Sequence, residues 1–147
     1  LLVILDAIHR LYPGVKRVAS YGTAQDILRK SEEELIRLRE AGLGIVYVGA
    51  ESGDNEILKY INKGVTAEQT IEAGQKLKRC GIATSVTLIS GLGGRSKVEE
   101  HALSCAKLIT AMNDGNLAGI LPDAAPVRGH ADVCRCRGRA VSADNPG

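Results

Sequence analysis

Apolar residues recur along this chain with two alternating periods. Leu1, Ile4, Leu5, Ile8 and Leu11 share one face of a helix that Pro13-Gly14 ends, and the β-rich run 15–20 predicts a short buried strand. Thr23, three residues before Asp26, opens a short stretch through Ile27-Leu28. Ser31 and Glu34 form a capping box ahead of Leu35, Ile36, Leu38 and Ala41, with Gly42 where a helix C-cap belongs. Residues 45–50, IVYVGA, lie between Gly44 and the polar Glu51-Ser52-Gly53, as in a parallel strand covered on both faces. Asp54 or Asn55 can cap a helix carrying Ile57, Leu58 and Ile61 that Gly64 ends; Thr66 and Gln69 start the next, through Ile71 and Leu77 to Gly81. A third strand, 82–90, enters Gly91-Leu92-Gly93-Gly94, after which Ser96 and Glu99 cap a long helix with the stripe Val98, Ala102, Cys105, Ile109 and Met112.

Strand starts near residues 15, 45, 82 and 117 with helices between them predict an α/β fold with parallel strands and right-handed crossovers. The expected core is 1–113. In 114–147, a possible last strand and then an irregular tail, there are three of the four prolines and none of the eight lysines. That tail is read as a poorly packed extension or as sequence from a shifted reading frame.

At 147 residues the chain suffices for one domain and is too short for a complete eight-unit (β/α) barrel. With 44% apolar and 24% charged residues and a mean hydropathy of −0.02, it has the composition of a globular domain. A net charge of +2, and aromatics limited to four tyrosines, give no case for a nucleic-acid strand or a membrane surface. The apolar run at residues 1–5 breaks at Asp6 without a basic lead, so it fits neither a signal peptide nor a membrane span; a helix already under way at Leu1 implies a missing N-terminal piece. Four cysteines without a secretory signal imply a reducing compartment, the cytoplasm.

In parallel α/β sheets ligands sit at the carboxyl ends of strands, here Tyr21-Gly22-Thr23, Glu51-Ser52-Gly53 and Gly91-Leu92-Gly93-Gly94. A carboxylate at Glu51 can accept from a pair of ribose hydroxyls or an ammonium group, or it can cap the helix near Asn55, for which Ser52 and Asp54 are alternatives. The glycine run is either a tight turn or a bare backbone that lets a ligand approach. Cys80 and Cys105 read as core residues and His101 as a surface or supporting group. His130, Cys134 and Cys136 are metal ligands by type, but form no recognised closed site.

The segment YVGAESGDNEILKYINKGVTAEQTIEAGQKLKRCGIATSVTLISGLGG resembles the middle of a radical S-adenosylmethionine (radical SAM) Fe–S oxidoreductase, of the group with Elongator-protein-3-like and MiaB-like barrels. The resemblance covers roughly residues 12–112. It implies the last four strands of a six-unit partial (β/α) barrel, with Glu51 and Ser52 at the ribose or methionyl part of S-adenosylmethionine and Ile89 and Gly91 on its adenine. It further implies a four-iron, four-sulfur cluster that reduces the cofactor to a 5′-deoxyadenosyl radical. The cluster's C-x-x-x-C-x-x-C loop is absent from this chain, and Gly94 stands where the family has a glutamate. The chain is therefore expected to be an inactive fragment of an intact enzyme whose N-terminal barrel half supplies the cluster, with an unknown substrate. The alternative is a non-catalytic α/β nucleotide-binding or interaction module.

Overall fold

The computed structural model describes residues 1–112 and the backbone of 117–122. Six helices alternate with four strands: α1 Leu2–Leu11, β1 Val18–Tyr21, α2 Ala24–Arg29, α3 Glu32–Glu40, β2 Leu43–Glu51, α4 Asn55–Tyr60, α5 Ala67–Arg79, β3 Ala83–Ser90, α6 Val98–Met112 and β4 Leu117–Pro122. The strands form one parallel sheet in the order β1-β2-β3-β4. Sequential order with every crossover on the same side is how a (β/α) barrel wall is wound, whereas a doubly wound sheet reverses its order.

The capping boxes at Ser31/Glu34 and Thr66/Gln69 form as the sequence predicts, and a further one joins Thr23 and Asp26. At the start of α6 the expected Ser96/Glu99 cap gives way to a 3-10 turn, Arg95–Lys97, so Ser96 lies inside the turn. The stripe on that helix is also rotated. His101, Cys105, Leu108 and Met112 are buried, while Val98 is 54% exposed, because one flank of a broad apolar face covers the sheet and the other lines a cavity. Of the apolar face of α1, Leu5 alone is buried. The first strand starts at Val18, later than expected.

The second strand corrects the expectation of cover on both faces. Val46, Val48 and Ala50, with Thr84, Val86 and Leu88 beside them, are buried against the helices. Tyr47 and Gly49, with Ser85, Thr87 and Ile89, alternate to the opposite face, where Tyr47 is 37% exposed. Glycine and hydroxyl residues interrupt the apolar pattern at those positions, which is the signature of a lumen-facing side.

In this sheet β1 and β4 are the edge strands. Unpaired edges are templates for association. The isolated chain should therefore self-associate, its sedimentation coefficient rising with concentration; a concentration-independent monomer with a sharp cooperative melt would contradict this.

Candidate functional site

Glu51 ends β2 in the left-handed region, at φ 64°, where the register with β3 slips between Gly49 and Glu51. A non-glycine residue held there is strained backbone at a bulge, the local device that re-aims a side chain. Its carboxylate accepts a hydrogen bond from Lys63 Nζ at 3.0 Å, and the two side chains are 22% and 26% exposed. A Cβ on Gly49 would stand 2.5 Å from Glu51 Oε1 and 3.3 Å from Lys63 Nζ, so the ion pair lies over the helix-free face of the sheet. Lys63 itself sits between two left-handed residues, Asn62 (φ 54°) and Gly64 (φ 78°), and this sharp loop turns its side chain back to the strand end.

The helix-capping alternative for Glu51 fails. Asp54 caps α4, accepting from the backbone N–H groups of Glu56 and Ile57. Ser52 is fully buried and its Oγ accepts from Asp54 N–H at 3.0 Å, which shapes the turn that carries Glu51. Asn55 donates to both oxygens of Glu68 and accepts from Ala67 N–H, tying α4 to the start of α5. Hydrogen bonds from its own backbone, Asn55 and Thr66 lower the Glu68 pKa. Gln25 donates to the Gly64 carbonyl at 2.7 Å, so α2 also pins the loop that bears Lys63.

At the neighbouring strand end, Gly91 adopts φ 94°, leaving bare backbone after Ser90. Ile89 and Gly91 border a largely apolar cavity of about 530 Å³ between the end of β3 and α6; neither Glu51 nor Ser52 lines it. His101 and Cys105 also line the cavity, with Cys105 Sγ 3.4 Å from His101 Nε2 and accepting from Gly53 N–H at 3.4 Å. His101 is buried, not at the surface, and burial lowers its pKa against the opposing charge of Asp54. Cys80 and Cys105 are both buried and free, and burial raises the Cys80 pKa. His130, Cys134 and Cys136 lie outside the described residues.

Sequence reasoning missed Lys63. Its signal was Asn-Lys-Gly, a lysine between two residue types that tolerate positive φ. It also missed that Tyr21 and Tyr47, register partners on β1 and β2, meet with ring centroids 5.3 Å apart.

A family model described as the radical SAM superfamily matches residues 6–106. The chain is 39% identical over 66 residues to a tRNA uridine(34) acetyltransferase of Methanocaldococcus infernus, covering 45% of this chain and 12% of that protein. It is 34% identical over 65 residues to an uncharacterised methyltransferase of Pyrococcus horikoshii, covering 44% and 14%. The chain thus spans only 12% to 14% of the length of these curated relatives. Among solved structures, methylornithine synthase superposes with a TM-score of 0.66 at 13% identity, over 89% of this chain and 37% of that one. Coproporphyrinogen III oxidase of Escherichia coli gives 0.61 at 14%, over 83% and 28%. The methyltransferase TsrM of Kitasatospora setae gives 0.56 at 24%, over 81% and 23%. At these identities the likeness establishes the fold, a partial (β/α) barrel.

Proposed function

The chain belongs to the radical SAM superfamily, and on that premise we propose that it forms the nucleoside-binding side of an enzyme that reductively cleaves S-adenosylmethionine, working in the reducing cytoplasm on a substrate yet to be identified. The observation that carries this reading is the occurrence of a strained, lysine-held Glu51 and the bare backbone of Gly91 at the ends of adjacent strands of one parallel sheet. Glu51 would accept from the ribose hydroxyls or the methionyl ammonium, with Ser52 fixing the turn beneath it. Ile89 and Gly91 would pack on the adenine. Relatives named as a tRNA uridine(34) acetyltransferase and a methyltransferase match 66 and 65 residues of this chain, which supports a role in what those chemistries have in common. Held there by Glu51 and Ser52 at its ribose or methionyl end and by Ile89 and Gly91 at its adenine, S-adenosylmethionine would supply one-electron chemistry once a four-iron, four-sulfur cluster reduces it.

The cysteines among the described residues do not gather into a set that would hold the cluster. Cys80, at the end of α5, points its thiol to the Glu32 carbonyl, while Cys105 lies in α6 against His101. No group of three metal-ligating side chains gathers among the described residues. Among those residues, too, no helix is long and apolar enough to cross a membrane. On this reading the cluster ligands belong to the N-terminal part of the parent protein, and the isolated chain would be inactive.

Two measurements test the assignment. Anaerobic iron and sulfide reconstitution of the isolated chain should give no stoichiometric cluster; one per chain, lost on Cys134→Ser or Cys136→Ser, would overturn the division of labour. In the parent protein, Gly91→Val should weaken S-adenosylmethionine binding about tenfold or more in equilibrium dialysis, equivalent to at least ~1.4 kcal/mol. Gly91→Asn, which tolerates positive φ, separates blocked approach from backbone strain. Cluster content should remain unchanged in both.

A further inference from the structure

We propose that Tyr21 and Tyr47 form a shelf that seats the reacting substrate, and that the part of the substrate recognised there is an uncharged planar heteroaromatic ring. The inference rests on the helix-free face being the ligand-binding face, as in the function proposed above. Of the chain's four aromatic residues, two are brought together on that face, with ring centroids 5.3 Å apart and planes tilted by 34°. They stay open to solvent, Tyr21 at 88% and Tyr47 at 37% exposure. Buried Ile45 floors the β1–β2 pair before them, and the positions beside and beyond them are small or hydroxylated. Ser85 stands beside Tyr47 in register on β3, followed by Gly49 and Thr87, while Ala19 precedes Tyr21 on its own strand. Room above the rings is thus left free, and hydroxyl groups border it. Tyr47 lies four residues before Glu51, roughly 13 Å along the strand, which puts a seated ring within reach of a cofactor held at the mouth.

Charge narrows the occupant. None of these neighbours is ionised at neutral pH, and the nearest ionised pair on this face, Glu51 and Lys63, is already neutralised internally. A charged ligand would find no side-chain counter-ion among them, only the modest pull of exposed ring faces on a cation. A neutral π-face, by contrast, stacks on tyrosine whatever its substituents, and Ser85 and Thr87 offer hydroxyls to ring heteroatoms.

The chain's aromatic composition makes the test direct, because with no Trp or Phe its aromatic NMR region contains four tyrosines and three histidines. The full chain, carrying ¹³C-tyrosine and held at one concentration at which sedimentation shows a single species throughout, is titrated with caffeine as an uncharged planar probe and with cyclohexanol as a saturated one. Caffeine should shift the Tyr21 and Tyr47 ring signals upfield and leave those of Tyr12 and Tyr60, which are 64% and 46% exposed, unmoved. Cyclohexanol should shift none. Tyr21→Leu and Tyr47→Leu, which keep apolar area but remove the π-face, should each abolish the shift of the remaining partner with the backbone spectrum intact. Equal shifts on all four tyrosines, an equal response to cyclohexanol, or no response would each overturn the shelf. Failure of the cofactor assignment reads out separately, as S-adenosylmethionine affinity insensitive to Glu51→Ala in the parent protein.

Discussion

Gly53→Val is expected to leave the chain largely unfolded, and Gly53→Ala to lower the stability by about 3 kcal/mol, the upper end of the usual overpacking cost. The reason is what a Cβ would meet. At Gly53 it would overlap the Ser104 carbonyl and stand 2.8 Å from the Cys105 backbone nitrogen, both parts of the α6 main chain. A flexible side chain could swing aside, but a helix backbone has to move as a unit. Moving α6 uncovers Leu88, Leu108 and Met112 and breaks the Gly53 N–H to Cys105 Sγ contact. Against a typical stability of about 5–15 kcal/mol, a loss of ~3 kcal/mol corresponds to a fall in Tm of roughly 10 °C for a chain of this size. Gly14→Ala is the internal control, since a Cβ there meets nothing within 4 Å and the residue lies in a surface turn. It should be neutral or stabilise by about 0.4–1 kcal/mol by restricting the unfolded chain. Thermal melts by circular dichroism compare the three proteins at one concentration. A wild-type melt for Gly53→Ala would mean that α6 does not rest on the Glu51-Ser52-Gly53 turn.

That contact also marks where the sequence became silent. The alternation of periods and the cap chemistry at Ser31, Asp54 and Thr66 were enough to place the helices, because each signal lies within four residues of what it determines. The parallel sheet followed from spacing. Which sheet face stays open did not follow, because Tyr47 and Val48 look alike in an apolar run although one is 37% exposed and the other 1%. The α6 stripe was misjudged for the same reason: an apolar helix face has no mark telling core from cavity wall. At the site, Glu51 was legible as a carboxylate following six apolar residues. Its partner was not, since the Glu51–Lys63 pair is closed by a loop of opposing positive-φ residues that periodicity does not register. Tyr21 and Tyr47 are 26 positions apart and meet only through the β1–β2 register.

Removing the Glu51 carboxylate in the parent protein should weaken S-adenosylmethionine binding tenfold or more while leaving cluster content unchanged. A carboxylate accepting from ribose hydroxyls or an ammonium makes charge-assisted hydrogen bonds, each worth about 1.5–3 kcal/mol, and one such bond lost already exceeds a factor of ten. Lys63 supplies the second half of the experiment. Its ammonium fixes the Glu51 carboxylate at 3.0 Å, so Lys63→Met, which keeps the apolar stem, should free the carboxylate to rotate and weaken binding by less than Glu51→Ala does. If Lys63 acts through Glu51, the double variant should bind no more weakly than Glu51→Ala alone, a coupling that a double-mutant cycle measures directly. Additive losses would instead make Lys63 an independent contact of the cofactor. Unchanged affinity in a correctly folded Glu51→Ala protein would reject the site, leaving the ion pair as a staple between the end of β2 and the loop after α4.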